Sequence, residues 1–162
     1  MEIKAVIDHL ARETSLFEEL VSILQKENED LVCRDYKALY ETVCKKEHIL
    51  VRIQDMERMR LRLVEEAAAR LGIPAQANLL SIIKKAKHAE KVELENRLSK
   101  ILTIAESIKE INRINGLIVK GCLDNVNKTL GFLGKFLTNN SYNTSGVFKG
   151  FAAKGTYFNE GV

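Results

Sequence analysis

The sequence predicts an all-α protein: an elongated antiparallel helical bundle or coiled coil of three to four helices, followed by a flexible C-terminal tail. Three observations predict it. Neither glycine nor proline occurs before Gly72, and Pro74 is the single proline. Apolar residues recur at spacings of three and four, the period of one helix face. Aromatics make up only 6% of the 162 residues and tryptophan is absent. The core must then be Leu, Ile and Val, which suits helix-on-helix packing.

The first helix is expected over residues 1–34. Ile3, Ile7, Leu10, Thr14, Phe17, Val21, Leu24, Asn28 and Leu31 alternate steps of four and three, the two-position seam of a coiled coil. Asn28 interrupts the seam as a register device or a fraying end. Near "VCRDYKAL" the stripe shifts phase, and Asp35 is suited to cap a new helix by accepting hydrogen bonds from the following backbone N–H groups. The chain therefore either turns a tight corner at Asp35 or continues through it as a kinked helix. The second helix, 36–71, carries Leu39, Val43, Leu50, Ile53, Leu61 and Val64 inward. With a corner, the first two helices fold back as an antiparallel pair, each roughly 50 Å long at ~1.5 Å per residue.

In "LGIPAQAN", Gly72 is able to stop a helix in the left-handed conformation, and Pro74 disfavours the helical state of Ile73. Asn78 then caps a short helix over 79–87. The last helix is expected over 91–137. Its seam is Leu94, Leu98, Ile101, Ala105, Ile108, Asn112, Asn115, Val119, Cys122, Val126, Thr129, Leu133 and Phe136, flanked by Ile104, Ile111, Ile114, Ile118, Leu123, Leu130 and Leu137. A stripe that wide faces two partner helices or reserves one side for another protein.

Residues 1–137 are read as one domain. Residues 138–162 are rich in Gly, Asn, Ser and Thr and read as a flexible tail. The tail nevertheless holds Tyr142, Phe148, Phe151, Tyr157 and Phe158, five of the ten aromatics. Solvating tails avoid aromatics, so a short recognition element is expected there.

Charge and chemistry narrow the function. The net charge is only +3, but residues 1–35 hold nine acids and four bases while residues 111–162 hold two acids and six bases. An acidic first helix can thus lie against a basic last one. No Lys/Arg cluster interleaves with aromatics, which argues against nucleic acid. Cys33, Cys44 and Cys122 form no CxxC pair, as expected of reduced thiols. No apolar run reaches the roughly 18 residues of a membrane span, and "TLGFLGKFL" carries only Lys128 and Lys135, too few for strong attraction to anionic lipid. The N-terminus alternates charge where a signal peptide has an unbroken apolar core, so a cytoplasmic location is expected.

His9, His48 and His88 are isolated, and His9 with Glu13 reads as a surface pair at i, i+4. Glu18/Glu19 and Glu65/Glu66 read as solvated faces. No zinc, phosphate-loop, nucleotide or calcium-loop spacing occurs, so neither catalysis nor a cofactor or metal is expected.

An interaction protein remains, and the stretch "INRINGLIVKGCLDN" at 111–125 is its most informative part. Gly116, Gly121, Gly131 and Gly134 would together weaken a helix by roughly 3–4 kcal/mol. Either the segment orders when something packs on it, or the small residues serve close helix approach, with Asn112 and Asn115 fixing register.

The chain resembles the FlgN family of flagellar export chaperones through "DYKAL" at 35–39, "LGIP" at 71–74, "NRINGLIVKGCLDNVNKTLGFL" at 112–133 and "YNTSG" at 142–146. The resemblance implies a cytosolic chaperone for the hook–filament junction subunits FlgK and FlgL. It would hold them export-competent and deliver them to the flagellar type III export gate. It further implies client recognition by the last helix, including Asn112 and Asn115, and engagement of the gate component FlhA by Tyr142 and Gly146 in the tail. An apolar groove on a helical bundle buries an amphipathic client helix at i, i+3, i+4 and i+7. Leu117, Ile118, Val126, Leu130, Leu133 and Phe136 are the expected suppliers of that surface. The alternative is a homodimeric coiled-coil structural protein.

Overall fold

The structure, a computed structural model, describes residues 2–74 and 78–139, with side chains over 3–74 and 78–135. Its elements are α1 (Glu2–Cys33), α2 (Tyr36–Arg70), α3 (Leu79–Lys85) and α4 (His88–Asn139). Every regular element among the described residues is helical, the expected all-α class. The chain divides into two compact units, Met1–Val119 and Lys120–Val162. α4 takes in the first two residues of the expected tail, and residues 140–162, with Tyr142, Gly146 and the later aromatics, lie outside the described residues.

The chain turns a corner at Asp35 rather than continuing. Arg34 adopts φ 57°, the left-handed state. Its N–H bonds to Leu31 O at 3.3 Å and the Asp35 N–H to Asp30 O at 3.0 Å, which satisfies the carbonyls that α1 leaves open. The Asp35 carboxylate then accepts from Ala38 N at 3.0 Å and starts α2. The end of α2 repeats the device with Gly72 at φ 66°, its N–H on Ala69 O and that of Ile73 on Ala68 O. Asn78 caps α3 by accepting from Ser81 N at 2.9 Å. Ala86 leaves the helical region at ψ 153°, so α3 is separate from α4.

Within Met1–Val119 the helices run up, down and up. α2 is antiparallel to α1: Glu13 pairs with Arg60, Glu19 with Arg52 and Asp30 with Thr42. α4 is parallel to α1, because Glu18 meets Lys100 while Leu24 and Asn28 meet Asn115. α1 packs against both. Its buried face therefore exceeds the expected seam and takes in Val6, Leu16 and Leu20, together with His9, Glu13, Glu27 and Asp30. The core has two apolar clusters. One joins Ile3, Ile7 and Leu10 to Val64, Ala67, Ile82, Ile83, Leu94 and Ile101. The other sets Leu16, Leu20, Leu24 and Ile49 against Ile53, Met56, Ile108 and Ile111.

Three expectations are corrected here. In α2 the inward face runs through Thr42, Ile49, Val64 and Ala67, whereas Leu50 and Leu61 are exposed. Polar Thr42 and Arg60 occupy inward positions, so an apolar count misplaces the phase. His9 and Glu13 are buried rather than at the surface. His9 Nε2 donates to the carbonyl of Met56 at 2.8 Å, because a carbonyl can only accept. Finally, the acids of α1 are neutralised chiefly by Lys46, Arg52 and Arg60 of α2, with Lys100 the contribution of α4.

Candidate functional site

Asn115 is 4% exposed and is committed to α1. Its amide donates to Leu24 O and to Glu27 Oε2, each at 3.0 Å, and its Oδ1 accepts from Asn28 Nδ2 at 2.8 Å. Glu27 is bound on its other oxygen by Lys46 of α2. One buried polar layer thus ties α1, α2 and α4 together. Asn28 and Asn115 fix the register between α1 and α4, because a slip would leave buried amides unpaired. The adjoining Asp30 carboxylate accepts from the Thr42 hydroxyl at 2.7 Å and from Lys26. Those two groups, Thr42 foremost, hold it below the ordinary carboxylate value.

A third buried acid, Glu13, is more costly. Burial pushes the Glu13 carboxyl above its ordinary value, with Arg60 and His9 pulling against that shift. Arg60 donates to Oε1 at 2.9 Å, while Oε2 has no hydrogen-bond partner. Glu13 and Asp30 each pair across the α1–α2 interface, with Arg60 and Thr42 respectively.

The other sequence-derived positions lie along α4. Asn112 is exposed, Ile118 is half-buried and Leu117 is exposed, all within Met1–Val119. In the second unit every described side chain from 120 to 135 is exposed. These include Leu123 at 58%, Val126 at 54%, Leu130 at 60%, Phe132 at 69% and Leu133 at 47%. Phe136 belongs to α4, but its side chain is outside the described residues. Leu123 and Phe132 were not among the candidate residues. Leu123 could have been found in the sequence as a member of the 3–4 series with Val126, Leu130 and Leu133.

A Cβ at Gly116, Gly121, Gly131 or Gly134 would meet nothing within 4 Å. Close helix approach within the described residues is therefore not what these glycines serve. Grooves exist beside the bundle helices. One of about 530 Å³ on α1 and α2 has Ile23 and Ile49 as its apolar floor, with Lys26, Lys45, His48 and Arg52 around it. Another of about 370 Å³, between α1 and α4, is lined by Gln25, Asn28, Glu29, Ile111 and Ile114. No described helix is long and apolar enough to cross a membrane.

An exposed apolar helix face on a bundle is suited to taking up another helix. Comparison with known proteins agrees with a binding role. No curated protein and no solved structure matches the chain. The model of the FlgN protein family does match, over residues 1–149, nearly the whole chain. Taken with the all-α bundle, that match means the chain belongs to the FlgN family, a family of flagellar chaperones.

Proposed function

We propose that the protein is a cytoplasmic export chaperone that binds the hook–filament junction subunits FlgK and FlgL, keeps them from assembling early and delivers them to the type III export gate through FlhA. The observation that carries this reading is the run of exposed apolar side chains on α4, with Leu123, Val126, Leu130 and Leu133 at helical spacing. Monomeric proteins rarely leave such a series open to water without a partner for it. A client segment that is disordered when free gains burial by folding onto this face, and part of that gain is lost to ordering the client. Binding of this kind is reversible, as delivery requires.

Within the client set, Leu117, Val126, Leu130 and Leu133 supply apolar contact, with Ile118 at the edge and Asn112 available for a polar one. Phe136 extends the series by sequence position. Asn115, whose two N–H donors serve α1 in the free protein, keeps its place in the client set through the remaining acceptor site of Oδ1. Tyr142 and Gly146 are assigned to FlhA.

The test is calorimetry of purified FlgK and FlgL with a Val126→Ala, Leu130→Ala, Leu133→Ala variant. Affinity is expected to fall by about 100-fold or more, given roughly 1 kcal/mol or more for each truncated contact. Wild-type affinity would remove the reading. Tyr142→Ala is expected to leave client affinity unchanged and to weaken capture of FlhA, and equal capture by the two proteins would remove the tail assignment.

A further inference from the structure

The groove of about 530 Å³ between α1 and α2 is floored by Ile23 and Ile49, and no residue of α4 lines it. The charged groups on its walls are Lys26, Lys45 and Arg52, with Glu19 the one acid among the lining residues. Lys26 is held by Glu29 and Asp30, and Arg52 by Glu19. Lys45 and His48 are exposed, and among the described residues neither enters a hydrogen bond or ion pair. The Lys45 charge does help to lower the Asp30 carboxyl. Cys44 stands on the α2 wall, and Tyr40 and Tyr36 precede it by one and two helical turns. The two tyrosines are 71% and 75% exposed and prolong that wall towards the corner at Asp35. Tyrosine is among the residues in which binding energy concentrates at protein interfaces.

We propose that this groove docks an acidic amphipathic helix of a partner protein, with Leu- or Phe-type side chains on the Ile23–Ile49 floor and carboxylates towards Lys45, His48 and Arg52. Apolar burial on the floor supplies affinity, and the cations on the rim set the sign of the partner's charge. A basic segment would bring like charges together. A helix suits the shape, because the groove runs open between two antiparallel helices and a third helix seats its side-chain ridge in such a furrow. The site shares no residue with the α4 face, so the proposal does not rest on the client reading and survives that reading's failure.

The test is fluorescence anisotropy of the full chain with a labelled peptide of about 14 residues, Leu at helical spacing and Glu elsewhere. A dissociation constant on the order of 10–100 μM is expected, weakening several-fold between ~50 and ~300 mM salt. The same peptide with Lys in place of Glu is expected to bind at least ~10-fold more weakly, as is the Glu peptide to a Lys45→Glu, His48→Glu variant whose fold is checked by a circular-dichroism melt. Alkylation of the native thiols locates the peptide: Cys44 lines the groove, Cys122 lies on α4, and both are exposed and free. Saturating Glu peptide is expected to slow alkylation of Cys44 several-fold and to leave Cys122 unchanged. Equal binding of the two peptides overturns the proposal, as does no binding or protection of Cys122 in place of Cys44. Protection of Cys44 by an oligouridylate in place of the Glu peptide would mark a nucleic-acid groove, and protection that grows with chain concentration alone would mark a contact between copies; either result overturns it too.

Discussion

Arg34 stands in a backbone state that costs an L-residue with a side chain about 1 kcal/mol relative to glycine. The same turn at the end of α2 uses Gly72, which has no Cβ to strain. That difference explains why one corner was plain in the sequence and the other stayed open: glycine announces the left-handed state and arginine does not. Arg34→Gly is expected to raise the unfolding free energy by about 1 kcal/mol in a denaturant titration, with the slope unchanged. A decrease would mean that the arginine side chain contributes more than its backbone costs.

Two of the three buried acids, Glu13 and Asp30, make opposite demands on pH. Glu13 has a folded-state value above its ordinary 4.5, so protonation favours the fold, and its contribution is lost as pH rises through the raised value. Asp30 has a folded-state value below its ordinary 3.8, so its contribution is present above 3.8 and lost as pH falls through the lowered value. Chemical denaturation at stepped pH should therefore give Glu13→Gln a smaller gain than wild type on acidification from neutral towards 4.5. Thr42→Val should begin to lose its Asp30 contribution at a higher pH than wild type does. An unchanged profile in either variant would contradict the corresponding assignment.

Among the elements, α1 and α4 divide the burial differently from what their sequences suggest. The wide apolar stripe of α4 was expected to face two helices or to reserve one side for another protein; α1 packs against both α2 and α4, and α4 leaves part of its stripe exposed. The reason is that α1 meets its neighbours partly through His9, Glu13, Glu27 and Asp30, which an apolar count leaves out. Tertiary partners, such as the carbonyl of Met56 and the cations of α2, make those positions tolerable inside. The glycines of α4 belong to this scale too. With open space around each missing Cβ, Gly121→Ala and Gly131→Ala should each stabilise the helix by roughly 1 kcal/mol, seen as increased helical ellipticity and a higher melting temperature. Reduced ellipticity would mean that a neighbour approaches these positions in solution.

For the whole molecule, the division at Val119 has a consequence for local stability. Residues 94–111 of α4 pack into both core clusters, while the described side chains from 120 to 135 are all exposed. Local opening is governed by the contacts that a segment would lose. Amide exchange is therefore expected to be slow over 94–111 and orders of magnitude faster over 120–135, with protection of the latter rising when FlgK or FlgL is added. Equal protection in the free protein would show that the second unit is as stable as the first. The sequence by itself determined the helical class, the breaks at Gly72 and Asn78, and the last helix as the informative segment, because spacing, caps and glycines act locally. The tertiary structure decided that Asp35 is a corner, that α1 packs against both α2 and α4 through buried polar residues, and that Asn115 faces inward while Leu123 to Leu133 stay open. Those outcomes depend on which face each helix turns towards another, and periodicity within a single helix carries no information about its neighbour.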